Sequence, residues 1–428
     1  MNPTAIDYLN LAQQQVARQK WQLATVNFQQ AIQLEPNRGD IYFKLGEAYL
    51  QQNLVDQALV CFRKVLQLNP QDELTQFQLG QYLQNQGLIE SAVICFCRTI
   101  KLNPDHRPAY ISLRYIKLES EWCDRLIAFY REILAQDPTI PEALANLAAL
   151  LADRGNLTEA IACSRQAIYY QTISENPTLA QIDWQPQKTK PPEFIIIGAG
   201  KSGTTSLYRY LNEHPQILLP NKKELRFFDK NFDYGYEWYL AQFPTICDRP
   251  ELITGEASPS YLFLPHVAQR IKDFAPKTKL IVMLRDPVAR SISDYYQNRK
   301  DGNQNQTLAK AIKQEISRLA QKNEAQLAYG GGLLSQSLYY YKLQRWLNIF
   351  PKQQLLVIKS ENFFAHPATV MQQVYQFLEL PNIQTDNYQK YNTGFYPQAS
   401  EATIEQLRDF FIPHNQRLEE FLQMDFNW

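Results

Sequence analysis

Two hydrophobic spacings divide the chain. Over residues 5–172 apolar positions recur at helical spacing, and the pattern closes at a fixed interval, with Pro36, Pro70, Pro104 and Pro138 each 34 residues apart. A period of that length predicts about five stacked helix pairs. Within it Ala24, Ala58, Ala92 and, two periods on, Ala160 share one slot, while Phe28, Phe62, Phe96 and Tyr130 share the slot four residues later. Small against large on one helical face lets antiparallel helices pack closely. Leu45-Gly46 and Leu79-Gly80 recur in the first helix of successive units; the missing side chain predicts close approach of the second helix. The fourth unit is degenerate, with Leu113-Arg114 and Leu126 in those slots, and the fifth lacks its closing proline at Thr172.

Over residues 173–191 the periodicity fails, and Pro177, Pro186 and Pro191 mark a linker. From 192 to 428 short apolar runs (194–197, 280–284 and 355–358) are bounded by Gly, Asp, Pro or Ser and alternate with helical stretches. That grammar predicts a parallel sheet covered by helices. The expected class is therefore α followed by α/β: a helical solenoid and then an α/β domain. Inside the second domain a polar helix is expected over 307–327, a turn at Gly330-Gly331-Gly332 and an amphipathic helix over 337–347.

Composition narrows the chemistry. Lysine plus arginine equal aspartate plus glutamate at 43 each, so no bulk field favours nucleic acid or an anionic membrane, and any anion must be handled locally. The start of the chain lacks a basic and then apolar leader, and no run of about 18 apolar residues predicts a membrane span; the expected location is cytoplasmic. Cys61, Cys95, Cys97, Cys123 and Cys163 lie on helical patterns and Cys247 stands alone in the rest, which suits a reducing compartment. Cys95 follows Cys61 by 34 residues in the same repeat slot, which reads as buried packing. No cluster has metal-ligand spacing, and no metal is expected.

The strongest chemical signal is Gly198-Ala-Gly200-Lys201-Ser202-Gly203-Thr204-Thr205-Ser206, directly after the run at 194–197 and before a helical stretch. Strand, glycine-rich loop and helix make an anion site, where backbone N–H groups, a helix N-terminus and hydroxyls converge. An ATP-type loop needs a glycine five residues before its Gly-Lys-Ser, and that position is Ile195. Downstream, the run at 280–284 delivers Arg285, and a helix starting near Pro287 carries Ser293 about two turns in, so both are expected to reach one anion.

The 34-residue units resemble tetratricopeptide repeats, which implies a concave surface for a protein or peptide partner; the groove-facing positions would be Phe43, Glu47, Phe77, Gln81, Ile111 and Tyr115. Residues 192–428 resemble sulfotransferases that use 3′-phosphoadenosine 5′-phosphosulfate (PAPS), particularly the heparan-sulfate sulfotransferase-like branch. The resemblance rests on the Lys201 loop, taken as the 5′-phosphosulfate loop, and on Arg285 with Ser293, taken as the 3′-phosphate motif. It implies that residues 200–206, Arg285 and Ser293 bind the nucleotide, together with Thr393 and Gly394 in a loop over its 3′ side. It implies that Lys201 stabilises the leaving phosphate and that Glu224, in Lys222-Lys223-Glu224-Leu225-Arg226-Phe227-Phe228-Asp229, is the acceptor's base. Lys223, Arg226, Phe228 and Tyr339 are then acceptor-side candidates. The product would be adenosine 3′,5′-bisphosphate, and the acceptor a hydroxyl or amine, carbohydrate-type.

This chain departs from that branch in carrying Arg226 where several relatives have histidine, and Ala257, Thr393 and Phe395 where relatives have cations. Three alternatives follow: a P-loop kinase, a repeat scaffold whose nucleotide domain does not catalyse, and protein-tyrosine sulfation.

Overall fold

The computed structural model describes residues 3–181, 184, 190–245, 249, 251–329, 331–385, 388–391, 394 and 396–428. It divides into two compact units, Met1–Asn156 and Leu157–Trp428. Thr393, Phe395 and Cys247 lie outside the described residues.

The first unit is all helix: Ala5–Ala17, Trp21–Leu34, Gly39–Gln51, Val55–Leu68, Glu73–Asn85, Ile89–Leu102, Arg107–Tyr115, Ser120–Gln136 and Pro141–Asp153. Pro36, Pro70, Pro104 and Pro138 each fall two residues beyond a helix end, where a residue that cannot continue a helix belongs. Ala24, Ala58 and Ala92 are at most 1% exposed, as are Phe28, Phe62, Phe96 and Tyr130. A Cβ at Gly46 would meet the Phe62 ring at 2.7 Å, and one at Gly80 the Phe96 ring at the same distance. The glycine slot thus admits the aromatic of the following helix, as its recurrence predicts. In the degenerate fourth unit Arg114 donates from Nε to Asn146 Oδ1 at 2.7 Å, and Asn146 donates in turn to Tyr110 O and Tyr130 OH. A buried polar bridge replaces the glycine contact there.

The second unit opens with the helix Leu157–Glu175 and a 3₁₀ turn Pro177–Gln181. Its sheet has five strands, β1 (Phe194–Gly198), β2 (Ile217–Leu218), β3 (Ile253–Ala257), β4 (Lys279–Leu284) and β5 (Leu355–Lys359), in the order β2-β3-β1-β4-β5. Every pairing is parallel. β1, β4 and β5 occupy the three predicted apolar runs. Chain order reverses across β1, which leads outward to β2 on one side while β4 lies on the other. Open parallel sheets bind ligands at the carboxyl edge of such a switch point. Phe194, Ile196, Leu207, Leu211, Ile281 and Met283 pack one face of the core against Met371, Val374 and Tyr375 of the helix Pro367–Leu378. The expected helix over 307–327 is instead two, Leu308–Leu319 and Glu324–Ala328, because Asn323 and Gln326 form a capping box that starts the second. Among the described residues no helix is long and apolar enough to cross a membrane.

Candidate functional site

A cleft of about 940 Å³ opens over the carboxyl ends of the strands, within the range of small-molecule sites. The loop after β1 forms its floor. Lys201 has φ 70° and Gly203 φ 95°, and alternating backbone handedness of this kind turns successive N–H groups into one concavity. At Gly203 a Cβ would strike the Phe364 ring at 2.8 Å, so packing as well as conformation requires glycine. Thr204 begins the helix Thr204–Asn212, whose positive end adds to the site. Gly200, Thr204 and Thr205 line the cleft. Ser202 and Ser206 are buried behind it; Ser206 Oγ accepts the backbone N–H of Tyr391 at 3.1 Å.

Lys201 Nζ donates to Gln297 Oε1 at 3.2 Å. Burial holds the Lys201 ammonium below the ordinary lysine range, opposed by Asp294 and Tyr396 and reinforced by Arg285. From the end of β4, Arg285 donates through NH1 to the Lys201 carbonyl at 3.1 Å. Ser293, on the helix Pro287–Lys300, lines the same cleft. Asp286 caps that helix, accepting from Val288 and Ala289 N–H at 3.0 and 3.3 Å. Among the described residues neither Lys201 nor Arg285 forms a salt bridge. Two cations without a carboxylate partner, facing one cleft over a nest of N–H groups, suit a ligand with more than one anionic group.

Glu224 and Lys223 border the other end. Lys223 Nζ donates to Glu224 Oε1 at 2.9 Å. Glu224 has φ 65°, and its backbone N–H is tied to the carbonyl of Ala257, the last residue of β3, at 2.9 Å. The result is a half-exposed carboxylate, held in a turn of left-handed backbone, at the edge of the cleft.

Three acceptor-side candidates lie elsewhere. Arg226 turns to Asp229, with Nε and NH2 donating to Oδ2 at 3.0 and 2.8 Å. Phe228 is fully buried in an aromatic cluster with Tyr239, Tyr261 and Phe274. Tyr339 is 2% exposed and donates its hydroxyl to the Arg285 carbonyl at 3.0 Å, so it supports the β4 end from beneath. Gly394 does line the cleft.

The cleft also contains residues not picked out from the sequence. Ser360 Oγ at the end of β5 donates to the Ser202 carbonyl at 2.7 Å. Glu361 accepts the Asp286 backbone N–H at 2.9 Å. Lys390 Nζ sits 4.4 Å from the centroid of Phe364, and Tyr396 stacks on Tyr296 at 5.0 Å with an interplanar angle of 11°. The rule that parallel sheets bind at strand carboxyl ends points to Ser360; Lys390 carries no comparable local signal.

The profile of the Sulfotransferase domain family matches residues 191–410, just over half the chain. Tetratricopeptide repeat profiles match residues 12–53, 39–72, 75–106 and 129–162. The chain is 27% identical over 313 residues to the membrane-associated sulfotransferase kil1 of Dictyostelium discoideum, covering 55% of this chain and 66% of that protein. To human heparan sulfate glucosamine 3-O-sulfotransferase 5 it is 31% identical over 262 residues, covering 55% and 74%. A solved sulfotransferase structure from Alicyclobacillus acidocaldarius is similar at 31% identity and a TM-score of 0.46, covering 55% of this chain and 97% of that one.

Proposed function

The chain belongs to the sulfotransferase domain family, with tetratricopeptide repeats ahead of that domain, and on that premise we propose that it transfers the sulfuryl group of PAPS to a hydroxyl or amine on a carbohydrate-type acceptor. The observation that carries the donor assignment is the hydrogen bond between Arg285 and the Lys201 carbonyl. It puts the loop proposed for the 5′-phosphosulfate and the residue proposed for the 3′-phosphate side by side, with Ser293 in the same cleft. ATP has no 3′-phosphate to use the second position. Asp286, which in a kinase would be sought as a metal ligand, is occupied as a helix cap, and this favours the sulfuryl reading.

In this reading the donor supplies a sulfur–oxygen bond to phosphate, activated for displacement. Glu224 takes the acceptor's proton as the new oxygen–sulfur bond forms. Lys201 neutralises the charge that gathers on the phosphate oxygen as the old bond breaks, much as the lysine of phosphoryl-transfer sites does. The loop N–H groups with the hydroxyls of Thr204 and Thr205 hold the 5′ end, and Gly394 borders the 3′ side. The relatives support the proposed acceptor class, since several are heparan sulfate 3-O-sulfotransferases. In this chain, however, the acceptor-side cations Lys223 and Arg226 are already paired with Glu224 and Asp229, which favours an acceptor of lower charge. The repeats would hold a protein or peptide partner, in a cytoplasmic setting. The proposed sequence domains are 5–172, a linker over 173–191, and 192–428, with the helix Leu157–Glu175 at the end of the first packing in the second compact unit.

Two measurements test this. Calorimetry should find adenosine 3′,5′-bisphosphate bound far more tightly than ATP or adenosine 5′-phosphate; indifference to the 3′ group would remove the donor assignment. Sulfur-labelled PAPS added with the protein to a cell extract, fractionated into glycans, lipids and proteins, should label glycans. Label confined to protein would instead support peptide sulfation.

A further inference from the structure

Beneath the turn that carries Glu224 lies a second carboxylate that the transfer chemistry does not touch. Glu256, in β3, is 0% exposed. Three hydroxyls point at it: Ser258 Oγ donates to Oε2 at 2.7 Å, and Tyr239 and Tyr261 donate to Oε1 at 2.8 and 3.1 Å. Both carboxyl oxygens thus act as acceptors, for three O–H donors in all.

Two of these hydroxyls also hold the turn. Ser258 Oγ accepts the backbone N–H of Arg226 at 3.1 Å, and Tyr261 OH accepts that of Phe228 at 3.2 Å. Each hydroxyl has one proton, and because Glu256 takes it, the oxygen lone pairs are left facing those N–H groups. The turn needs such support. Both Glu224 and Arg226 are left-handed, with φ 65° and 52°, a conformation that side-chain-bearing residues keep only where their surroundings over-determine it.

We propose that Glu256 is a positioning residue for the proposed base: through Ser258 and Tyr261 it locks the 224–228 turn in the conformation that presents Glu224 to the cleft. This rests on Glu224 serving as the base. Tyr239 supplies an internal control, because its hydroxyl bonds Glu256 while neither turn N–H bonds it.

The test compares Glu256→Gln, Ser258→Ala, Tyr261→Phe and Tyr239→Phe in the full chain. The first three should speed hydrogen exchange at the Arg226 and Phe228 amides about tenfold or more, leave the 199–203 loop unchanged, and lower kcat by a similar factor with the KM for PAPS within about twofold. Tyr239→Phe should match the wild type in both. The idea is overturned if exchange in the turn is unaltered in Tyr261→Phe and Ser258→Ala, or if Tyr239→Phe loosens it equally. If Glu256→Gln does not fold, the Tyr261→Phe and Tyr239→Phe pair still decides. A wild-type protein that transfers no sulfuryl group sinks the transfer reading alone, since the exchange comparison judges the turn without turnover.

Discussion

Lys201 and Arg285 are asked for different things, and substitution should separate them. Lys201→Ala should cut turnover on the order of 10³-fold, the scale of removing a positioned transition-state donor, while leaving repeat-mediated partner binding intact. A non-catalytic scaffold would bind its partner equally in both forms and turn over in neither, so a steady-state rate beside a partner pull-down checks this. Arg285→Ala should weaken adenosine 3′,5′-bisphosphate by about 2–3 kcal/mol, as expected for a charged hydrogen bond, and adenosine 5′-phosphate far less. Calorimetry on both nucleotides reads the difference.

Glu256 adds a pH dependence. Burial pushes its carboxyl up to about 7, against the hydroxyl bonds from Ser258, Tyr239 and Tyr261, with Asp229 adding to the rise. Its folded pKa thus lies above the reference 4.5, and between those values the folded state binds more protons than the unfolded one. Stability from this group is therefore full below about 4.5 and lost as pH rises toward 7, by on the order of 3 kcal/mol. Urea midpoints measured from pH 5 to 8 should show that slope in the wild type and a flatter one in Glu256→Gln. At this scale the sequence was legible where chemistry is local: Gly200, Lys201, Gly203, Thr204 and Thr205 of the loop, with Arg285, Ser293 and Glu224, all border one cleft. It was not legible for Phe228 and Tyr339, since an aromatic beside a motif carries no mark of which way it faces.

Among the elements, β1, β4 and β5 could be read because strands covered on both faces are continuous apolar runs. β3 could not. Its sequence Ile253-Thr-Gly-Glu-Ala contains a buried acid, and a glycine whose Cβ would collide with the Phe194 ring at 2.3 Å, and both interrupt the apolar run. The helix Glu401–Leu422 was equally hidden, because Pro413 stands inside it. The repeat helices, by contrast, were legible in detail, and their glycine slot makes a prediction. Gly46→Ala or Gly80→Ala forces a methyl into the Phe62 or Phe96 ring and should cost about 1–3 kcal/mol, the price of overpacking. Chemical denaturation should show that loss, while affinity for adenosine 3′,5′-bisphosphate stays the same.

For the whole molecule, the helix Leu157–Glu175, which continues the repeat pattern, belongs to the same compact unit as the sheet. Within that unit Gln242 Nε2 donates to Ser164 Oγ at 3.1 Å, and Trp184 meets the Tyr169 ring edge-on at 4.9 Å. A chain starting at Leu157 should therefore melt several degrees higher than one starting at Asn176, which thermal unfolding of the two fragments can check. Repeat length alone could not reveal this, because periodicity reports how a helix is built and not which core it joins.

The bond from Arg285 to the Lys201 carbonyl has a consequence for redesign. Any loop grafted here carries a backbone carbonyl at position 201, but only one that keeps the left-handed turn presents that oxygen to this guanidinium, and a new side chain at 285 would take this donor away from it. Altering the choice of sulfur donor therefore calls for exchanging both segments together, and libraries varying only one should return mostly inert proteins.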